Sequence, residues 1–312
     1  MKKYQDWTSS DFISYITKLE ARLKQVEHDE SINFKWAGNL GHWTWFLKEN
    51  KVIFNDLKAS TLGYNPKDIA DIGFEFFTSK LHPDDYDAVM DNMRNHLKGK
   101  SPAYEVEYRI RHKDGHYLWY YDRGVISKKD ELGNPLILDG IVFNISEARQ
   151  MEDKLRYYAE HDILTGVYNR RMLYMDLETL INKNNKTFSL VMIDIDEFKS
   201  INDTFGHLMG DDILVDFVEV IEKESKTSYR IYRYGGDEFF IILPNTTLAK
   251  SIEFSKNLIQ SIRNYKFSHG LPVSGSLGIV EYDSKMSLDE LINHADDLMY
   301  QAKKNGKNQY KF

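Results

Sequence analysis

The sequence contains no cysteine. Disulfide bonds and thiolate chemistry are therefore excluded, and so is a flavin photosensor that works through a cysteinyl adduct. Long apolar runs are also missing, because no stretch approaches the roughly 18 uninterrupted apolar residues that a membrane-spanning helix requires. The chain begins with polar residues instead of the apolar core of a signal peptide. We therefore expect a soluble, cytoplasmic protein with no membrane span.

Positive charge is scarcer than negative charge. The 41 lysine and arginine residues are outnumbered by 48 aspartate and glutamate residues, which gives a net charge of -7. Proteins that bind duplex nucleic acid use a basic face to neutralise its phosphates, so we expect no nucleic-acid partner. An anionic nucleotide remains open as a ligand if a metal ion neutralises part of its charge.

The length of 312 residues predicts two domains, each large enough to bury its own core. Residues 1–30 are predicted to form an N-terminal helix, because apolar residues recur there at alternating spacings of four and three. This stripe consists of Phe12, Ile16, Leu19, Leu23 and Val26. The stripe is short, so two interpretations stay open: a helix packed on its own domain, and a coiled coil between two chains.

Aromatic strand candidates dominate residues 31–146. Two short candidates precede several short helices, and three longer candidates follow; they lie at 41–46, 52–54, 104–110, 116–121 and 136–145. The first of the longer runs alternates strictly, and Lys113-Asp114-Gly115 is a turn sequence that joins it to the next run. The pattern predicts an α+β domain with an antiparallel sheet and short helices.

This segment resembles a PAS domain. The resemblance rests on the order of elements and on Leu62-Gly63-Tyr64, His82-Pro83-Asp84-Asp85 and Arg111-His112-Lys113-Asp114-Gly115. It implies a sensor domain over residues 31–146, with an unknown ligand: heme, flavin, another small molecule or none. A structural role is favoured over heme ligation for each of its histidines, His42, His82, His96, His112 and His116. Its tryptophans, Trp43, Trp45 and Trp119, are predicted to lie in the core or on a dimer surface.

Residues 147–160 are predicted to form a helical linker. Ala148, Met151, Leu155 and Tyr158 repeat the spacing of three and four inside a charged run. A rigid spacer would have the same pattern. Together with the N-terminal stripe, however, it favours parallel pairing of two chains, that is, a homodimer through the helices and the first domain.

Residues 161–312 alternate apolar strand candidates with amphipathic helices. The predicted strands are 188–195, 229–234, 239–243, 273–282 and 309–312, and the predicted helices lie near 210–224, 246–264 and 287–304. A sheet backed by helices in this order is an α/β sandwich of the ferredoxin-like type.

Two acidic motifs interrupt these strands. The run 189–193 ends in Asp194-Ile195-Asp196, where an open α/β sheet binds ligands, and Asp194 and Asp196 would share a side if both are extended. The second motif, Gly235-Gly236-Asp237-Glu238, allows a tight turn with two carboxylates at its tip. Each motif alone could be a polar strand end or a plain turn. If the two strands are neighbours, the converging carboxylates would repel one another unless a divalent metal is bound, and such oxygen ligands suit Mg²⁺.

The stretch 162–310 resembles a GGDEF domain, the domain of the diguanylate cyclases. Beside the Gly-Gly-Asp-Glu-Phe hairpin, the matching motifs are Asp162–Arg171, Asp194–Lys199 with Asn202-Asp203 and Phe205–Asp211, Ser274–Ile279, and Ala295–Lys303 with Asn305–Asn308. The fold expected for the whole chain is therefore a PAS fold joined by a signalling helix to a ferredoxin-like, nucleotidyl-cyclase-like GGDEF domain over 161–312.

The resemblance implies condensation of two GTP molecules to cyclic di-GMP and two pyrophosphates, regulated by the PAS domain through the dimer arrangement. It assigns Mg²⁺, with Mn²⁺ as an alternative, to Asp194, the carbonyl of Ile195, Asp237 and Glu238. Catalysis is assigned to Asp237, Glu238 and Lys199. GTP would be bound by Asn202 and Asp211 at the guanine and by Phe198, Lys199, His207, Lys303 and Lys307 elsewhere. For the three lysines, solvated surface charge is the competing interpretation.

Two departures and two alternatives accompany this expectation. Many relatives carry Arg-x-x-Asp nine residues before the paired glycines, but Lys226-Thr227-Ser228-Tyr229 stands here, so we expect no product-inhibition site of that kind. Lys307 stands where relatives commonly have an arginine; it keeps the positive charge but loses the bidentate geometry of a guanidinium. One alternative function is a catalytically silent GGDEF module that binds GTP. The other is a cyclase of relaxed base choice, which Asp211 disfavours.

Overall fold

A computed structural model describes residues 40–69, 73–182, 187–225 and 228–312. The predicted N-terminal helix lies outside these residues, as do Lys226 and Thr227. The chain divides near residue 152 into two compact units. No helix of the described residues combines the length and the apolar character needed to cross a bilayer.

The first unit is built on one antiparallel sheet. Its strands are β1 (Leu40–Phe46), β2 (Lys51–Phe54), β3 (Tyr104–Arg111), β4 (Tyr117–Lys129) and β5 (Pro135–Asn144), in the order β2-β1-β5-β4-β3. Between β2 and β3 lie α1 (Asp56–Ser60), a 3₁₀ turn (Pro66–Ile69), α2 (Glu75–Thr78) and α3 (Pro83–Leu97). The predicted antiparallel sheet with short helices is confirmed. The prediction for β4 was too short, because residues beyond Tyr121 continue to pair with β5, as Asp122 does with Val142.

The motif His82-Pro83-Asp84-Asp85 begins α3. The Nδ1 atom of His82 accepts a hydrogen bond from the backbone nitrogen of Asp84, and Pro83 occupies the first turn, where a missing N–H costs nothing. The guanidinium of Arg109 on β3 contacts Asp85 at 2.7 Å. His82 is therefore a capping residue, which agrees with the structural role expected for it.

A long helix, α4 (Ser146–Glu160), follows β5, and the second unit is a six-stranded sheet with helices on both faces. Its strands are β6 (Tyr168–Asn169), β7 (Phe188–Ile195), β8 (Arg230–Gly235), β9 (Glu238–Pro244), β10 (Gly275–Glu281) and β11 (Tyr310–Lys311). Its helices are α5 (Arg170–Asn182), α6 (Phe198–Phe205), α7 (His207–Glu224), α8 (Leu248–Asn264) and α9 (Leu288–Lys304), with a 3₁₀ turn at Ser268–Gly270. The strand order is β11-β10-β7-β9-β8-β6, so that β7 is central.

Both faces of β7 are buried, and alternate residues enter different cores. Val191 and Ile193 pack with residues of α7 and α8, whereas Leu190 and Met192 pack with residues of α5 and α9. A strand covered on both faces is expected to be apolar throughout. Asp194 breaks this pattern at the end of the strand, and a buried carboxylate in such a place requires an explanation.

Candidate functional site

The pairing of β7 with β9 brings the two acidic motifs together. Asp194 is the partner of Glu238 in the antiparallel register, and such cross-strand pairs project to the same face. Asp237 lies in the turn before Glu238, and its carbonyl accepts a hydrogen bond of 3.3 Å from the backbone nitrogen of Ile195. The condition for converging carboxylates, that the two strands are neighbours, is therefore met.

The hairpin between β8 and β9 uses its two glycines differently. Gly236 has a φ of 53°, in the left-handed region that favours glycine. Gly235 ends β8 with an ordinary φ, and open space surrounds the position of a Cβ there. Only Gly236 of the pair therefore provides the positive φ of the predicted tight turn. The space around Gly235 leaves the hairpin tip accessible.

Asp194, Asp237 and Glu238 form a cluster of carboxylates that repel one another. Burial raises the pKa of Asp194 to about 6, and the charges of Asp237 and Glu238 add to this effect, while Lys303 opposes it. The ammonium of Lys303 lies 2.5 Å from Asp194 Oδ1. Burial also raises the pKa of Glu238, helped by the negative charges of Asp237 and Asp296. Among the described residues, the Lys303 ammonium pairs directly with Asp194, while Glu238 and Asp237 add negative charge beside it.

This donor set fits a divalent cation. Hard oxygen atoms are the ligands that Mg²⁺ prefers, usually one or two carboxylates together with phosphate oxygens and water. Asp194 and Glu238 supply two carboxylates on neighbouring strands, and Asp237 adds a third at the turn. Ile195, whose carbonyl is the remaining predicted ligand, is the last residue of β7. A bound cation would also offset the repulsion that adds to the effect of burial on both pKa values.

Asp196 has different partners from Asp194. Its carboxylate accepts hydrogen bonds from Ser274 Oγ at 2.6 Å, from Ser276 Oγ at 2.7 Å and from the backbone nitrogen of Asn308 at 3.0 Å. Because Ser276 is the partner of Asp194 across β7 and β10, Asp196 joins the end of β7 to β10 and to the segment after α9. It is a positioning residue, which the acidic strand end alone could not reveal.

The predicted guanine-reading residues lie on α6 and α7. Gly206, with a φ of 87°, joins the two helices. Gly210 packs directly against the side-chain amide of Asn202, and Asp211 is the next residue on α7. Among the described residues, Asn202 Oδ1 is buried without a hydrogen-bond partner. A buried acceptor of this kind is costly unless a ligand supplies a donor.

The remaining predicted contacts fall into two groups. Lys303 contacts Asp194, and Lys307 forms an ion pair with Glu197, the residue before α6. Phe198 is buried in the core at the beginning of α6, so that only its backbone could serve a ligand. The exposed side chains of Lys199 and His207 stand near the beginnings of α6 and α7; within the described ranges no hydrogen bond or ion pair joins either to the carboxylates.

Arg233 and Asp162 brace the hairpin, a role that sequence reasoning missed although Asp162 begins one of the matching motifs and Arg233 lies two residues before the paired glycines. Arg233 donates to the carbonyl of Gly236 from Nε at 3.0 Å and Nη2 at 2.8 Å, and from Nη1 to Asp162 Oδ1 at 2.9 Å. Burial raises the pKa of Asp162, but hydrogen bonds from Thr165 and Arg233 outweigh burial and hold the pKa below its ordinary value. The charged pair fixes the turn that carries Asp237.

Comparisons with known proteins agree with this geometry. Residues 159–309 match the family model described as diguanylate cyclase, GGDEF domain, and residues 51–142 match the model described as PAS fold. The coiled coil and GGDEF domain of DgcB from Caulobacter crescentus, solved in complex with c-di-GMP, has a TM-score of 0.51 and 24% identity. The match covers 54% of this chain and 92% of that one. At this identity the likeness shows the fold alone.

Two curated relatives are more similar in sequence. Diguanylate cyclase DgcM of Escherichia coli (strain K12) is 34% identical over 172 residues, covering 54% of this chain and 42% of that protein. Diguanylate cyclase VdcA of Vibrio cholerae is 34% identical over 177 residues, covering 55% of this chain and 52% of that protein. The chain thus spans about half the length of the curated relatives it matches.

Proposed function

We propose that this chain, which carries a PAS domain followed by a GGDEF domain, condenses two GTP molecules into cyclic di-GMP and releases two pyrophosphates. One observation carries the proposal: Asp194 and Glu238 face each other across β7 and β9, with Asp237 at the adjoining turn. The names of the relatives support it. Incubating the purified chain with GTP and Mg²⁺ tests it, since a catalytically silent module would bind GTP without forming product.

The acidic residues are assigned to the metal and to proton transfer. Asp194, the carbonyl of Ile195, Asp237 and Glu238 would hold Mg²⁺ or Mn²⁺. When bound, the metal polarises the α-phosphate and lowers the pKa of the attacking ribose 3′-hydroxyl. Either Asp237 or Glu238 is suited to take the proton of that hydroxyl, because both lie at the accessible hairpin tip.

The triphosphate and the base meet other groups. Backbone N–H groups of Phe198 and Lys199 at the beginning of α6 form an anion site together with the helix dipole. The side chains of Lys199, His207, Lys303 and Lys307 are assigned to the phosphates, with Lys303 passing from Asp194 to the ligand. Asn202 and Asp211 pair with guanine, which supplies donors for the buried Oδ1 of Asn202.

Proton competition gives a first prediction. We expect the apparent affinity of the chain for Mn²⁺, measured by calorimetry without nucleotide, to rise about tenfold from pH 5 to pH 7. The affinity rises with pH because Asp194, with a pKa of about 6, must lose its proton before its carboxylate can bind metal. At pH 5 roughly a tenth of this group is ionised, and at pH 7 about nine tenths. An affinity that is flat over this range, or that falls, would contradict the assignment of Asp194.

The packing of Gly210 against Asn202 gives a second prediction. Gly210→Ala places a methyl group on the Asn202 amide, so we expect this amide to turn away and the KM for GTP to rise roughly tenfold through loss of its hydrogen bonds. The helix itself should tolerate alanine. Leu208→Ala, an exposed position on α7, is the control and should leave KM unchanged. Steady-state kinetics with ATP as competitor decides: an unchanged KM in Gly210→Ala would remove Asn202 from the base site.

Two chains are required by the chemistry. One GGDEF domain holds one GTP, so two domains must face each other for each GTP to act as nucleophile and as electrophile. The linker helix α4 supports such pairing, because Met151, Leu155 and Tyr158 are 59%, 61% and 51% exposed on one stripe. An exposed apolar stripe of heptad spacing is the surface on which helices pair. We assign PAS control to the arrangement of this helix pair.

A further inference from the structure

The first unit contains a cavity of about 280 Å³ between its sheet and its helices. Its walls are apolar and aromatic, formed by Trp43 and Trp45 of β1, Phe74 and Phe77 around α2, and the methionines of α3. Sites for small organic ligands have this character and volumes of roughly 300–1,000 Å³. At about 280 Å³ the cavity lies just below this range, so its size favours a small ligand over a macrocyclic cofactor.

Two buried charged residues line the cavity, and they differ in how they are satisfied. Asp122 on β4 accepts hydrogen bonds at 2.7 Å from Trp43 Nε1 and at 2.8 Å from Tyr108 OH, one at each oxygen. Lys58 on α1 is only 5% exposed. In the part of the chain that the structure describes, its ammonium has no hydrogen-bond acceptor and no ion-pair partner; it lies over the rings of Phe77 and Trp43 at 4.4 and 5.4 Å.

In the described part of the chain, the buried ammonium of Lys58 lacks a hydrogen-bond acceptor to replace its lost hydration. Lysine is almost never fully buried unless it is paired, and contacts with aromatic faces replace only part of its lost hydration. Burial lowers the pKa of Lys58 to about 8, and the negative charge of Asp122 opposes this effect, so that the group is still mostly charged at neutral pH. The other cationic residue of the lining, Arg94, is already paired with Asp91. Lys58 is thus the group that needs an acceptor from a ligand.

We propose that this cavity binds a small carboxylic acid with an apolar, preferably aromatic, body, whose carboxylate pairs with Lys58. The rings of Trp43, Trp45 and Phe77 would enclose the body. Asp122 already has a donor at each oxygen and fixes Trp43 and Tyr108; its charge acts on Lys58 without a direct ion pair. The proposal concerns the PAS domain alone and is independent of the cyclase activity.

The experiment uses the full chain and calorimetry with two matched pairs of probes and one cationic probe. Phenylacetate and indole-3-acetate are compared with their neutral amides, and 2-phenylethylamine serves as the cationic probe. We expect at least one acid to bind saturably with 1:1 stoichiometry, and its amide to bind at least about tenfold more weakly, a ratio that corresponds to about 1.4 kcal/mol. If neither acid binds, if acid and amide bind equally, or if the amine binds best, the proposal is wrong.

Two variants locate the site. Lys58→Met keeps an unbranched side chain in the apolar cavity, so the variant should fold. Its affinity for the acid should fall at least tenfold, while its affinity for the amide should stay unchanged. Lys80→Met is the matched control, because Lys80 also lies over an aromatic ring, Phe76, but outside the cavity lining. Thermal unfolding checks the fold of each variant. Equal loss of acid binding in both variants, or none in Lys58→Met, would overturn the role of Lys58.

Discussion

Asp194→Asn or Glu238→Gln is expected to reduce cyclic di-GMP formation by roughly 100- to 1,000-fold, the range found when one electrostatic group is removed from a reacting centre. Either change removes a charge from the metal site, and the amide that replaces it is a poorer ligand for Mg²⁺. The fold should persist. Burial raises the pKa of both carboxyl groups, which means that their neutral forms suit the folded state better than their charged forms.

The measurement is product formation from GTP and Mg²⁺, followed by chromatography and mass detection, beside thermal unfolding of each variant. Asp297→Asn is the matched control, an acid on α9 that is exposed and lies outside the carboxylate group; it should retain full activity. A variant of Asp194 or Glu238 that keeps turnover within tenfold of the unaltered chain would show that the metal is held elsewhere.

Met151→Glu combined with Leu155→Glu is expected to lower turnover per molecule at least about tenfold at nanomolar protein, with recovery as the protein concentration rises. Both side chains are exposed on α4, on either side of the division near residue 152, so the change should not disturb the core of either unit. Charges on a pairing stripe weaken association, and activity that depends on a dimer then follows mass action.

Deleting residues 1–145 should also lower turnover and leave a folded but poorly active GGDEF domain.

The control for this experiment is Arg156→Glu, which changes charge on another side of α4 and breaks only an exposed pair with Asp153. Activity is measured over a range of protein concentrations, and the oligomeric state is followed by sedimentation. Full turnover by a monomeric form of either the double variant or the truncated chain would refute the requirement for two facing domains.

The chemistry of the candidate site was predictable from sequence to the extent that it follows strand ends and turns. The apolar run of β7 and the Gly-Gly hairpin are local patterns, so their acidic ends could be located without a structure. Their direct opposition could not, because the register of Asp194 with Glu238 depends on which strands become neighbours. The same limit hid the braces formed by Arg233 with Asp162, which are 71 residues apart.

The cavity of the first unit was less predictable still. The sequence of Asp56–Ser60 is typical of a short polar helix on the surface, and a lysine in such a helix is normally solvated. Only the packing of α1 against the sheet turns Lys58 inward, next to a tryptophan from β1 and an aspartate from β4. The structural roles predicted for the histidines and tryptophans of this unit agree with His82, which caps α3, and with Trp43, which lines the cavity.

The most direct test of the account is the stoichiometry of GTP turnover by the purified full chain. With Mg²⁺ present, we predict that two GTP molecules yield one cyclic di-GMP and two pyrophosphates, that chelation of the metal abolishes both products, and that Asp194→Asn lowers both by at least about 100-fold. Saturable GTP binding without either product, under conditions where sedimentation shows a dimer, would contradict the assignment and leave the silent module as the function of the GGDEF domain.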